Sequence, residues 1–417
     1  MSRERMIHVA IPAMNEADFL PATIECLAKQ TFKPFKVWVC VNQPEHWWDH
    51  AEKQPVCENN QHTLHYLNEQ DPDRFRILDH SSRGKGWQGK AHGVGQARKV
   101  LMDRISQHAR SDDIILSLDA DTLFGPDYLY SVNGIFSRYP AAVALSNPYY
   151  HPLTRDERLD RAMLRYEIYM RHYAINMWRI RSPYSFTALG SAIAIPVHAY
   201  RKIGGMTAKK SGEDFYLLQK LRKTGWICNH NNQLVYPGTR YSDRVYFGTG
   251  PALIKGSNGD WGSYPVYDHR LFDMVGKTCD FFPDLYTKPV ETPMSDFLRK
   301  KFRESDPFST IRHNASTKEG FVKACHQKID GLRVLQFLKE TSARTTVSDE
   351  SALISYLQQF HPENLLPEQK GGTGYFSDSE IQNLHALDFE ATGITLLNKI
   401  RNLLRMIEIS HQETDRP

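Results

Sequence analysis

Short apolar runs bounded by turn residues alternate with stretches of helical periodicity from Ile7 to Tyr236, the pattern of strands and helices taking turns in an α/β domain. Ile7 to Ile11 reads as a strand, a proline-containing loop follows, and Leu20, Thr23, Ile24 and Leu27 recur at helical spacing. Lys36 to Val41 predicts a second strand, so the opening is a βαβ unit with a parallel sheet. The stretch Gln43 to Asp73 is polar with weak periodicity and reads as a surface excursion. Arg76 to His80 predicts a third strand. Gly84-Lys-Gly-Trp-Gln-Gly-Lys-Ala91 forms a glycine and lysine loop that leads into a helix ending near Ala109. Asp113 to Asp121 is a buried strand ending in acids, and Val143 to Ser146 is a further short strand. Arg155 to Arg181 predicts a long amphipathic helix whose aromatic face packs a core, and Ala188 to Pro196 a strand of small residues. Gly212 opens a helix with Phe215, Leu217, Leu218 and Leu221 on one face, closed by Gly225; strands follow at Trp226 and at Leu234 to Tyr236. Tyr246 to Tyr267 reads as a flexible loop.

The character changes after Pro293. Ser295 to Phe302, Glu319 to Glu340, Asp349 to Phe360, Ser377 to Leu387 and Thr395 to Ile409 all show helical spacing, and Ser377 with Glu380 has that of a capping box. Two domains are expected, an α/β domain over 1–270 and a mainly helical region over 271–417.

Composition narrows this picture rather than changing it. With 41% hydrophobic and 24% charged residues among 417, the balance is that of an ordinary globular protein. A net charge of +4 suits anionic ligands but is too weak and dispersed for a nucleic-acid partner. Cys26, Cys40, Cys57, Cys228, Cys279 and Cys325 are scattered without close pairs, which favours buried thiols in a reducing compartment. The apolar stretch Met6 to Met14 is a first strand rather than a leader. Ala188 to Val197, interrupted by Gly190, Ser191 and Pro196, falls far below the ~20 residues of a membrane span. A cytoplasmic protein without a transmembrane segment is expected, with peripheral membrane contact left open.

Candidate chemistry centres on two acidic pairs. Asp119 and Asp121 end an apolar run, so they arrive at the sheet edge where α/β ligands sit. Hard carboxylate oxygens suit Mg²⁺ or Mn²⁺ with phosphate completing the shell. The ordinary alternative is an acidic turn. In Gly212-Glu213-Asp214 the acids complement a helix dipole, but a carboxylate fixed there also suits a general base, with Asp214 preferred. Lys85, Lys90 and Arg98 in and after the glycine loop, and Arg244 before Gly248 and Gly250, offer cations to a phosphate, a solvated basic surface being the ordinary alternative. Gly93-Val-Gly95-Gln-Ala-Arg98 lacks the third glycine of a dinucleotide fingerprint. His46 and His50 lack the glutamate of a zinc protease. His151, His230 and His269 are candidates for a remaining metal ligand. Ser191 lacks a hydrolase elbow, which leaves acyl transfer without support.

Together, Val9-Ala-Ile-Pro-Ala-Met-Asn-Glu16, Gly89-Lys-Ala91, Asp119-Ala-Asp121 and Gly204-Gly with Gly212-Glu-Asp214 stand in the order seen in family 2 glycosyltransferases of the soluble, non-processive bacterial type, which this chain resembles over about residues 6 to 250. The resemblance implies the GT-A fold, a Rossmann-like nucleotide-diphospho-sugar transferase domain with a mixed, mostly parallel sheet. It implies that Pro12, Asn15 and Glu16 form the first nucleotide-contacting loop and that Lys90 lies near the nucleotide. Asp119 is then directed toward the ribose or a metal-bound water, Asp121 to the metal, and Asp214, beside Glu213, is the base. The acidic residue that the family commonly has after the second strand is replaced by Val41-Asn-Gln43, leaving Asn42 to face a nucleobase. The Gln-x-x-Arg-Trp signature of processive members is absent. The activity so implied is inverting, hexosyltransferase-like transfer from a nucleotide-sugar donor, with Mn²⁺ or Mg²⁺, to an acceptor hydroxyl on a saccharide, glycolipid or small molecule. Rivals are a sugar nucleotidyltransferase and a non-catalytic sugar-nucleotide-binding or scaffold protein.

Overall fold

Apolar residues on both faces of consecutive strands call for helices on both sides of a sheet, and that is what the chain builds. The computed structural model describes residues 5–89, 92–209, 212–242, 248–365 and 375–414. Nine strands are present among them: β1 (Ile7–Ala13), β2 (Phe35–Asn42), β3 (Phe75–His80), β4 (Ile114–Ser117), β5 (Leu123–Phe124), β6 (Ala142–Ser146), β7 (Ile193–Pro196), β8 (Trp226–Cys228) and β9 (Val235–Tyr236). Seven form one sheet in the order β3-β2-β1-β4-β7-β6-β8. β1 to β4 run parallel, β7 is antiparallel to both neighbours, and β6 pairs parallel with β8. The expected mixed, mostly parallel sheet is therefore present.

The flanking helices are α1 (Leu20–Ala28), α2 (Gln54–Asn68), α3 (Val94–His108), α4 (Tyr128–Arg138), α5 (Glu157–Arg179), α6 (Val197–Lys202), α7 (Glu213–Arg222) and α8 (Thr249–Gly256). The polar excursion is a correction: its second half is α2, which packs on β2 and β3 and buries Cys57, Asn60, Thr63, Leu64 and Leu67. Two polar residues in that face masked its period. The small-residue strand is shorter than expected, because Gly190–Ala192 is a 3₁₀ turn that precedes β7. The expected flexible loop contains α8, while 243–247 lie outside the described residues.

Helices α9 (His269–Asp280), α10 (Phe282–Leu285), α11 (Ser295–Phe302), α12 (Ser309–Asn314), α13 (Lys318–Lys328), α14 (Gly331–Ser342), α15 (Asp349–Phe360), α16 (Asp378–His385) and α17 (Ile394–Thr414) follow. The segment Glu319 to Glu340 divides into α13 and α14 because the Asp330 side chain accepts from Arg333 N and starts a new helix. Ser377 and Glu380 make the expected capping box on α16.

By its contacts the chain forms two compact units: 1–163 with 186–259 and 412–417, and 164–185 with 260–411. The first holds the sheet, whose centre is Ile7, Val9, Val37, Val39, Ile114, Leu116, Leu145 and Ile195, all fully buried. The second is helical. Within it Glu167 and Arg171 of α5 meet Arg401 and Glu408 of α17 in a buried ionic network. No helix among the described residues is long and apolar enough to cross a membrane.

Candidate active site

β4 carries Ile114 to Ser117 through the centre of the sheet and buried Leu118 follows, so the chain emerges at Asp119 and Asp121 on the carboxyl edge. β1 ends beside it. Pro12 is tolerated within β1 because the β4 ladder stops at Ala10. Asn15 then turns with φ 58°, a left-handed conformation that asparagine adopts more readily than most residues. α2 pins this loop: Asn60 Oδ1 accepts from Asn15 N at 2.8 Å and Asn59 Oδ1 accepts from Ala17 N at 3.0 Å.

Two arginines organise the carboxylates. Arg98, on α3 and 3% exposed, donates from Nη2 to Asp119 Oδ1 at 2.5 Å, and its Nη1 lies 3.3 Å from Glu213 Oε1. Arg240 follows β9, whose antiparallel pairing with β5 returns the chain to the acidic segment. It donates from Nε to Asp121 Oδ2 at 2.8 Å and from Nη2 to both oxygens of Glu16 at 2.6 and 2.7 Å, with its guanidinium over the Phe19 ring at 4.1 Å. Burial works against both guanidinium charges, but the surrounding carboxylates outweigh it and hold the arginines protonated.

The second acidic pair is placed by Gly212, whose φ of 70° is a left-handed turn that suits glycine. Glu213 is buried in the first turn of α7. Asp214 accepts from Phe215 N at 2.7 Å. Burial, reinforced by the Glu213 carboxylate and opposed by Arg98, pushes the Asp214 carboxyl up to about 7. A carboxylate balanced near neutrality is suited to take a proton from a hydroxyl.

The structure brings Asp119, Glu213 and Asp214 together through Arg98, and Asp121 and Glu16 through Arg240. Other groups named from the sequence are engaged elsewhere. Asn42 is buried, donating to Ala13 O at 2.9 Å and accepting from Trp87 Nε1 at 3.2 Å, so the protein itself uses its carboxamide. Trp87 in turn stacks on His80 at 3.9 Å. Lys85 pairs with Asp79, and Glu45 takes the backbone N–H groups of Gly84 and Gly86, both at 2.7 Å. These contacts correct the reading of Lys85 and the glycine loop as free phosphate donors. Arg98 is likewise corrected from a phosphate-facing cation to a buried tie between carboxylates. Lys90 and Arg244 lie outside the described residues. Among the described residues no group of three or more His, Cys, Asp and Glu is arranged to hold a metal, so neither His151 nor His230 completes a set with Asp119 and Asp121. His46 and His50 stack edge to face on an exposed 3₁₀ turn, and His269 belongs to the helical unit.

Sequence reasoning missed Arg240, which stands four positions before the arginine it chose, and the asparagines of α2. A guanidinium's partners are a three-dimensional fact, and only the carboxylates awaiting a counter-charge hinted at one.

Comparison with known proteins adds the family. Residues 4–237 match the family described as "Glycosyltransferase like family 2". No curated protein matches the sequence. Among solved structures, the chain is similar to residues 1–349 of S. aureus TarS in complex with UDP-GlcNAc, at 13% identity and a TM-score of 0.40, covering 78% of this chain and 91% of that one. It is also similar to the mannosyltransferase PcManGT of Pyrobaculum calidifontis in complex with GDP-Man and Mn²⁺, at 13% identity and a TM-score of 0.35, covering 100% and 89%.

Proposed function

The chain belongs to the family 2-like glycosyltransferases, and from that premise we propose that it transfers a sugar from a nucleotide-sugar donor to an acceptor hydroxyl, metal-dependently and with inversion. One observation carries the reading: one member of each acidic pair, Asp119 and Glu213, far apart in sequence, meets the other at the Arg98 guanidinium. That leaves Asp214 beside the carboxylates of the donor side.

In this reading Pro12, Asn15 and Glu16 form the wall of the nucleotide site, and Asp119 faces the ribose. Lys90 and Arg244 would add positive charge. Because Asn42 is engaged, a base in that corner would meet the Trp87–His80 stack. Asp214 takes the proton of the acceptor hydroxyl as its oxygen attacks the anomeric carbon from the face opposite the leaving diphosphate, so the bond to the departing oxygen breaks as the new one forms and the configuration inverts.

Electrostatics supports the metal. Five carboxylates, Glu16, Asp119, Asp121, Glu213 and Asp214, face two guanidiniums, Arg98 and Arg240, among the described residues. Such a cluster repels a diphosphate unless more positive charge enters. Asp121 and Asp119 supply the hard oxygens that Mn²⁺ or Mg²⁺ takes, one or two carboxylates being the usual protein share. When bound, the ion supplies charge to the diphosphate oxygens.

A panel of nucleotide sugars beginning with UDP-GlcNAc and GDP-Man, assayed with Mn²⁺, with Mg²⁺ and with chelator, tests the proposal. Released nucleoside diphosphate and a product of inverted anomeric configuration by NMR are expected. Release of pyrophosphate instead points to nucleotidyl transfer, and donor binding without turnover to a scaffold. Asp214→Asn should lower turnover about 10² to 10⁴-fold, the range of general-base catalysis, with donor affinity nearly unchanged. Normal turnover in that variant removes the base assignment.

A further inference from the structure

Arg98 is a buried cation that the ordinary demands of folding do not call for. Its guanidinium sits between Asp119, at the end of β4, and Glu213, in the first turn of α7. The chain gives up a side chain to seat it: a Cβ at Gly190 would lie 1.9 Å from Nη1 and 2.6 Å from the central carbon, distances that no real Cβ adopts. Among the described residues Nε and Nη1 make no aligned hydrogen bond, so the group is held by charge and shape rather than by a full set of acceptors. Burying ions in this way is weak support for stability, since well-packed apolar side chains of similar volume often do as well or better. What an apolar side chain cannot do is fix two carboxylates from different elements at one distance with a rigid planar fork.

We propose that Arg98 is a positioning residue for sugar transfer, touching neither donor nor acceptor and tying Asp119 on the donor side to Glu213 beside the base. The inference rests on the reading of Asp119 as donor contact and Asp214 as base. The α3 helix delivers the fork from behind the sheet edge, and its two Nη groups point in different directions, one to each half of the site. Without it the two carboxylates repel each other, and the first turn of α7 loses the counter-charge that holds it toward the end of β4. The donor keeps its other contacts, so the loss falls on turnover rather than on binding.

The test compares the full-length Arg98→Met, Arg98→Lys and Arg98→Ala variants with the parent chain for kcat and donor KM, for donor Kd by calorimetry, and for folding by circular-dichroism melts. Folded Arg98→Met should lose about 100-fold in kcat, the scale of an ångström-sized misplacement, with donor Kd within a few-fold of the parent. Arg98→Lys, which keeps the charge without the fork, should recover part of that loss. Guanidinium ion at non-denaturing concentration should raise the kcat of Arg98→Ala, a response that a merely structural role would not show. A folded Met variant with parental kcat overturns the proposal, as does a loss confined to KM and Kd, or an Ala variant deaf to guanidinium. If Met and Ala do not fold, Lys decides: parental kcat refutes the tie, and reduced kcat at parental donor affinity supports it. Asp214→Asn is assayed alongside. Its full activity would sink the base reading whatever Arg98 does, whereas an inactive Asp214→Asn beside a fully active Arg98→Met sinks the tie alone.

Discussion

The ionisation of Asp214 couples rate and stability in opposite senses. Burial and Glu213 push its carboxyl up to about 7, so the base form fills only as pH rises through neutrality, and kcat should climb through the same interval. The folding consequence has the reverse sign. A native pKa above the unfolded value gives stability that is complete at low pH and lost as pH rises through the native pKa. Asp214→Asn should therefore melt at a higher temperature than the parent at pH about 8, with the difference shrinking toward pH about 5; an unchanged difference across that range contradicts the burial argument. Arg240 supports a second prediction. Its ion pair holds Asp121 Oδ2, so a divalent cation competes with it for that carboxylate. Arg240→Gln should bind Mn²⁺ more tightly without donor, on the order of ten-fold by calorimetry, the worth of one charge-assisted hydrogen bond. Weaker binding would mean that Arg240 assists rather than competes.

Single elements place these residues, and α2 is the least obvious of them. Asn60 accepts from Asn15 N while giving its amide to Gln43 Oε1 at 2.8 Å, so one side chain joins the first loop to the end of β2. Asn60→Ala should cost about 1 to 3 kcal/mol in denaturant melts, because partners are left buried and unpaired, and should raise donor KM if the Asn15–Glu16 loop faces the nucleotide. A normal KM at reduced stability would confine Asn60 to the fold. This element also shows what could be read from the residues alone. β1, β2 and β4 announce themselves as mainly apolar runs, because strands buried on both faces need no alternation. α2 does not, since its inward face includes Asn60 and Thr63. The β5–β9 pair is only two residues long in each strand, too short for any period, yet it returns Arg240 to Asp121. The acidic pairs were visible as local patterns. Their pairing with Arg98 and Arg240 was not, because an ion pair across the fold leaves no spacing signature.

At the scale of the whole molecule the helical unit has an ionic and histidine-rich interior. Arg171 bridges Glu167 and Glu408, and Arg401 lies 3.4 Å from Glu167. Removing one member leaves an uncompensated buried charge, so Glu408→Ala should cost about 3 to 5 kcal/mol by chemical denaturation. A cost below about 1 kcal/mol, the scale of a surface ion pair, would show that the network is hydrated. His172 is pushed down to about 3, mainly by burial with His269 and Arg179 adding to it, and burial lowers His269 and His361 as well. The His172 ring stays neutral in the folded chain while the unfolded chain takes up protons below the ordinary value of 6.5, and the lowered His269 and His361 act in the same direction, so stability present above that value should be lost progressively as the solution is acidified.

Helix α5 begins in one unit and continues in the other, so neither unit is a single stretch of chain. A polypeptide cut after residue 270 would still carry Glu167 and Arg171, but without Arg401 and Glu408. Such a fragment would keep the Glu167–Arg171 pair but lose the helix whose charges complete it, leaving an oily flank bare to water, and its natural fate is to clump rather than to work as a minimal enzyme.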